Sequence, residues 1–204
     1  MFELFADSTP NARKISIMLE EINESYDLTL VNLNKGEQFY DEFKKISPFS
    51  KIPVIRHDNK TIFESGAILI YLANLSGEFY GSNQSLTTQW LMAQMGYIGP
   101  MLGQHHQFHH YNPGKSDFGE DRYFKIAETI YKNLDDHLSI NEYLANEYSI
   151  ADIATFPWIA RHPIHDIGLN KYINLLRWYN QISLRPAVLK GYDLFKDGSI
   201  PPPA

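Results

Sequence analysis

The hydrophobic pattern of this 204-residue chain changes period once, near residue 80, and that change limits the fold more than any other feature. Before it, short β-rich runs alternate with helical spacing. Phe2–Ala6 reads as a strand ending at Ser8-Thr9-Pro10-Asn11. Ile15, Met18, Leu19 and Ile22 then recur one helical turn apart, with Pro10 in a first turn that tolerates it. Leu28–Leu33 alternates as a strand does, and Glu37–Ile46 puts Phe39, Phe43 and Ile46 on one helical face. Ile52–His57 and Lys60–Phe63 flank Asp58-Asn59 as a hairpin would, and Ser65–Asn74 reads as a buried helix. The order β-α-β-α-β-β-α predicts a small mixed α/β domain over residues 1–76. Residues 77–86, rich in Gly, Ser and Asn, read as a linker. No strand period follows. Helices are expected at Thr87–Tyr111, Asp117–Ile140, Ile150–Ala160 and Lys171–Leu184, so residues 87–204 form an all-helical domain. The three prolines in Gly198–Ala204 suggest a loosely packed tail.

Composition removes several functions. There is no cysteine, which excludes disulfides, Cys-ligated metal sites, C-x-x-C redox motifs and a Cys nucleophile. Eighteen basic and 24 acidic side chains leave a net charge of −6. Residues 1–84 carry eight basic and twelve acidic groups, and residues 85–204 carry ten and twelve. Neither part is basic, so neither nucleic acid nor an anionic membrane is an expected partner. The longest apolar stretch, around Gly66–Ala73, is less than half of the roughly 20 residues a spanning helix needs. Met1-Phe2-Glu3 lacks the basic and hydrophobic regions of a secretory signal, and a cytoplasmic location is expected. Phosphate-loop, dinucleotide-binding and nucleophile-elbow motifs are all missing from the sequence.

Two local features suggest binding chemistry. Pro53 stands inside the apolar run Lys51-Ile52-Pro53-Val54-Ile55, where it cannot donate to a ladder. The plainer reading is a trans proline at a sheet edge, since only about 5–6% of X-Pro bonds are cis. The functional reading is a cis proline that turns the Ile52 backbone toward an extended ligand. Then comes Phe63-Glu64-Ser65-Gly66, where a strand meets a helix. Ser65 could be a simple N-cap, worth about 1 kcal/mol. It could also join the helix N-terminus in holding a carboxylate while Glu64 takes an ammonium, which suits a zwitterionic amino-acid head. In the helical part, Ser149-Ile150-Ala151-Asp152 is a capping box, a folding device with no catalytic reading.

These features together resemble the cytosolic glutathione transferases over roughly the first 190 residues. Thr9-Pro10-Asn11, Gly36-Glu37-Gln38-Phe39, Ile46-Ser47-Pro48, Glu64-Ser65-Gly66-Ala67-Ile68-Leu69 and Gly99-Pro100-Met101-Leu102-Gly103-Gln104 resemble the bacterial Nu class. Its relatives include YfcG-like disulfide-bond oxidoreductases and fungal Ure2-like proteins. The resemblance implies a thioredoxin-like first domain, a helical-bundle second domain, a homodimer, and glutathione as co-substrate without a metal. It implies a transferase with disulfide reductase and peroxidase activity. The alternative is a non-catalytic glutathione-binding or regulatory module on the same scaffold.

By this resemblance Thr9 and Asn11 activate the glutathione thiol. The task is to lower a pKa of about 8.5 by some two units, or about 2.7 kcal/mol. Hydrogen bonds to a thiolate, aided by a helix N-terminus, supply energy on that scale. The plainer reading of Thr9 and Asn11 is helix-start chemistry, and Ser8 is a possible third donor. Ile52 and Pro53 would hold the cysteinyl backbone, Glu64 and Ser65 the γ-glutamyl head, and Gln38 and Lys51 the glycine end. Either of the last two could equally be a solvated surface residue. Some relatives carry a basic residue that reaches across the dimer, at a position falling near the uncharged Thr129. His105-His106-Gln107-Phe108-His109-His110 pairs histidines at i,i+4, as metal ligands can be, but no acid completes a set and no metal is expected. Gln104, His105 and Tyr111 are candidates for a second-substrate pocket. Phe49 is equally readable as a core residue or as an apolar key for a partner subunit.

Overall fold

The computed structural model of the chain describes residues 1–195 and 200–204. It divides into two compact units, the first Met1–Tyr80 with the described part of Arg185–Ile200, the second Gly81–Leu184 with Pro201–Ala204.

The first unit is built on four strands, β1 (Phe2–Ala6), β2 (Tyr26–Leu30), β3 (Val54–His57) and β4 (Lys60–Phe63). They lie in the order β2-β1-β3-β4. β1 and β2 are parallel, while β1–β3 and β3–β4 are antiparallel. Alternation in β1 sends side chains to two faces. Phe5 belongs to a small core with Val31, Phe43 and Val54, closed by Ile46 and Ile52. Phe2, Leu4 and Ala6 point the other way and are buried, as are Ile15, Met18 and Leu19 of α1 (Pro10–Glu21) and Ile68, Leu69 and Leu72 of α3 (Ser65–Ser76).

The helix expected over Glu37–Ile46 is broken into a 3-10 turn at Glu37–Phe39 and a single turn, α2 (Asp41–Lys44), and another 3-10 turn at Leu33–Lys35 precedes them. The extended Tyr40, at ψ 143°, interrupts the expected helix, and Gly36, left-handed at φ 73°, separates the two 3-10 turns. The break between the units, at Tyr80 and Gly81, falls within residues 77–86. The chain returns to the first unit after Leu184, and α10 (Pro186–Asp193) packs on α1. The approach is close enough that a Cβ on Gly191 would lie 2.9 Å from the Ile17 backbone nitrogen. Ser16 Oγ donates to Gly191 O at 2.8 Å, and Arg185 grips the Glu21 carboxylate through two nitrogens at 2.6 and 2.9 Å.

The second unit is helical. Gln84–Tyr111 is one helical run, comprising α4 (Gln84–Ala93), a π segment at Gln94–Ile98, α5 (Gly99–His105) and a second π segment at His106–Tyr111. It is followed by α6 (Asp117–Leu138), α7 (Ile150–Ile159), α8 (His162–His165) and α9 (Ile173–Ser183). The capping box at Ser149 and Asp152 is present. Asp152 is fully buried and receives Leu144 N, Ser149 N, Ser149 Oγ and Trp178 Nε1, so one carboxylate organises the start of α7 and ties it to α9. Part of the tail expected to be loose, Gly198 and Ser199, lies outside the described residues. Pro201 is buried, and the Tyr179 hydroxyl donates to Pro202 O at 2.6 Å, so that end is held.

Candidate active site

Sheet register assembles the site. Phe5 pairs with Val54, and Val54 with Phe63, so three chain segments leave the same end of the sheet. These are the Asp7–Asn11 turn after β1, Ile52-Pro53 before β3, and Glu64-Ser65 after β4. Segments far apart in sequence are thereby brought to one edge of the first unit.

Thr9 caps α1 from an extended conformation, and its Oγ accepts from Ala12 N at 3.3 Å. Pro10 follows at the first helical position, as its fixed φ favours. The cap uses a lone pair only, and a hydroxyl that accepts here still carries a proton to donate. The plainer and functional readings of Thr9 are thus compatible. Asp7 fixes the turn, with Oδ1 accepting from Ser8 N at 2.8 Å and Oδ2 from Leu33 N at 3.0 Å. Ser8 Oγ accepts from Arg13 Nη2 at 2.7 Å, which engages it with a buried guanidinium.

The Ile52–Pro53 peptide bond is cis. Among the described residues, none pairs with the Ile52 backbone N–H or C=O. Lys51 is exposed, and its backbone is held by Ser47, whose Oγ accepts from Lys51 N and donates to Lys51 O. Gln38 lies in the second 3-10 turn, where its buried Oε1 has no hydrogen-bond partner among the described residues. Such an oxygen is costly to leave unpaired and suits a ligand N–H.

Glu64 rather than Ser65 occupies the cap position of α3. It does so at φ 69° and ψ 117°, a conformation that glycine adopts far more readily than glutamate. Glu64 is exposed, and Ser65 is 3% exposed. The Ser65 hydroxyl accepts from Lys14 Nζ at 3.3 Å. Lys14 is 1% exposed; burial pulls its ammonium down to about 7, opposed by the nearby Glu64 carboxylate.

Residues 2–74 match the family model of the glutathione S-transferase N-terminal domain, and residues 115–186 that of its C-terminal domain. The Escherichia coli disulfide-bond oxidoreductase YfcG is 40% identical over 198 residues, covering 92% of both chains. The chain belongs to the glutathione S-transferase family. Among solved transferases, one from Pseudomonas putida with a glutathione disulfide bound per subunit superposes with a TM-score of 0.90. It is 38% identical, covering 95% of this chain and 91% of that one. A Burkholderia graminis transferase holding two glutathione molecules per subunit gives 0.89 at 36% identity, covering 97% of this chain and 89% of that one. YghU of Escherichia coli, a second disulfide-bond oxidoreductase, is 32% identical, covering 93% of this chain and 73% of that protein.

The sequence reading did not single out Asp7, Arg13 or Lys14, which hold the turn after β1 and the start of α3. The signal for Lys14 was present, because it follows Asn11 by three residues and precedes Met18 by four, on the buried line of α1. In the second unit Gln104 is exposed and Tyr111 half-exposed, with Arg161 Nη2 donating to the Tyr111 hydroxyl at 3.2 Å. His105, expected to line a pocket, is fully buried, and its Nε2 donates to His165 O at 2.8 Å. Its segment belongs instead to a buried network: His106 Nε2 meets His165 Nε2 at 2.7 Å, and His165 Nδ1 meets the Tyr131 hydroxyl at 2.6 Å. Among the described residues no group of three or more His, Cys, Asp or Glu side chains could hold a metal ion. No helix among them is long and apolar enough to cross a membrane.

Proposed function

We propose that this transferase binds glutathione at the sheet edge of its first unit and uses the thiolate to reduce disulfides. The observation that carries this reading is the convergence of Thr9 and Asn11, the unpaired Ile52 backbone and the Glu64-Ser65 helix start at one end of the sheet. Ile52 pairs with the cysteinyl backbone as an added strand would. Glu64 takes the γ-glutamyl ammonium, and Ser65 with the α3 amides takes its carboxylate. Gln38, whose oxygen has no donor among the described residues, and Lys51 serve the glycine end. Thr9 and Asn11 donate to the sulfur as it loses its proton. Gln104 and Tyr111 are assigned to the second-substrate pocket. The protein is assigned to the Nu class, to the cytoplasm and to a homodimer, the last with the 72% exposed Phe49 as its apolar key.

The thiolate attacks one sulfur of a disulfide, whose S–S bond breaks, and the departing sulfur takes up a proton. A second glutathione thiolate then displaces the remaining thiol from the mixed disulfide, leaving glutathione disulfide. All sulfurs come from glutathione and substrate, since the chain has no cysteine. Peroxide reduction follows the same two-thiol balance, with an alcohol and water released. Turnover of hydroxyethyl disulfide and of a chloronitrobenzene acceptor tests this reading. Glutathione-dependent turnover of the disulfide is expected. Glutathione binding with silence in both assays would favour a non-catalytic module.

A further inference from the structure

We infer that Lys14 is a positioning residue that lies behind Ser65 and adapts its hydroxyl to the α-carboxylate of a γ-glutamyl group. The inference rests on the glutathione reading above and deepens it by naming what recognises one end of the ligand.

An ammonium group is an expensive occupant of a position that packing alone would fill with an apolar side chain. Lys14 stands at such a position, within the buried stretch from Ala12 to Leu19 of α1. Its nitrogen reaches across to α3 and donates to Ser65 Oγ. A hydroxyl that accepts from a cation becomes a stronger donor on its other side, because each bond in such a chain polarises the next. The cap position belongs to Glu64, so Ser65 stands one residue further in, beside the first amides of a twelve-residue helix. An incoming carboxylate would therefore meet a polarised hydroxyl, backbone N–H groups and a positive charge beneath them.

Glu64 completes the pattern. Its carboxylate interacts with Lys14 and helps keep that ammonium charged against burial. It also lies exposed on the ligand side, where a ligand ammonium can reach it. A buried cation, an anion and a helix N-terminus in sequence match the paired charges of an α-amino acid head. A ligand without the carboxylate would gain nothing from Lys14.

Isothermal titration calorimetry with two ligands tests the assignment. One is S-methylglutathione, in which the thiol cannot react. The other is its 4-aminobutyryl analogue, which keeps the ammonium and lacks the α-carboxylate. K14M is expected to weaken S-methylglutathione binding about 10- to 100-fold, the scale of a hydrogen bond involving charge. It should change binding of the analogue less than about threefold, and K14R should recover part of the loss. Equal loss for both ligands, or none for S-methylglutathione, would overturn the assignment. S65A gives a route independent of whether K14M folds: it must show the same ligand-selective loss, and its absence contradicts the inference. If the wild-type protein binds neither ligand, the glutathione reading itself fails and Lys14 falls with it.

Discussion

At the scale of single residues, the site depends on backbone states as much as on side chains. Glu64 holds φ 69°, and a non-glycine residue in such a region typically costs about 1–3 kcal/mol. E64G is therefore expected to raise the melting temperature by about 2–4 °C, corresponding to about 1 kcal/mol of net relief in a chain of this length. The same variant should weaken glutathione binding at least about tenfold, since it removes the partner proposed for the γ-glutamyl ammonium. Thermal denaturation with calorimetric binding checks both. A lower melting temperature with unchanged affinity would contradict the role given to Glu64. The acid and its neighbour Ser65 were readable from the strand-to-helix signature, but the sign of φ was not. The sequence therefore placed the cap one residue too late. Lys14 was hidden by the ordinary expectation that lysines on helices are solvated.

At the scale of elements, the long periodic segments were legible and the contacts between them were not. The helical run to Tyr111 and the helices at 117–138, 150–159 and 173–183 follow their apolar spacing closely. The Glu37–Ile46 segment is not one helix because the extended Tyr40 overrides its spacing. The burial of His105 and His106 was not legible because the partner of this segment is distant: His165 of α8 lies 59 residues beyond His106. With Tyr131 of α6 donating to His165 Nδ1, His165 Nε2–H donates to His106 Nε2, a chain of hydrogen bonds that suits neutral imidazoles. Burial, then the charges of Arg161, His105 and His110, hold His106 down at about 3. Burial first, then His106, His105, His162 and Arg161, holds His165 well below its usual range. The unfolded chain protonates these imidazoles first, near their ordinary pKa of about 6.5. Their contribution to stability is present above that pH and is lost as pH falls toward 3. Asp152, pushed up to about 6 by burial, works in the opposite direction between roughly pH 4 and 6, but one carboxyl opposes two imidazoles. Urea unfolding from pH 7 to 4.5 should show stability falling by up to about 1.4 kcal/mol per pH unit for each titrating imidazole. H165Q should be less stable at pH 7 and shallower in its pH dependence. An equal slope in both proteins would contradict the network.

At the scale of the whole molecule, the mixed α/β and helical halves were visible in the change of hydrophobic period. The return of the chain after Leu184 was not, because nothing local marks α10 as belonging with α1. Its cause is packing, through the bare Gly191 backbone and the Arg185–Glu21 pair. The absence of cysteine has the widest consequence. Under the proposed function, a chain with no thiol of its own takes the reactive sulfur from its ligand and contributes donors and a helix N-terminus. The most direct measurement is the pKa of the glutathione thiol bound to wild type, T9A and N11A, followed by thiolate absorbance in the ultraviolet. The wild-type value is expected about two units below the free value, with a rise of about one unit in each variant. No rise in either would contradict the assignment of Thr9 and Asn11.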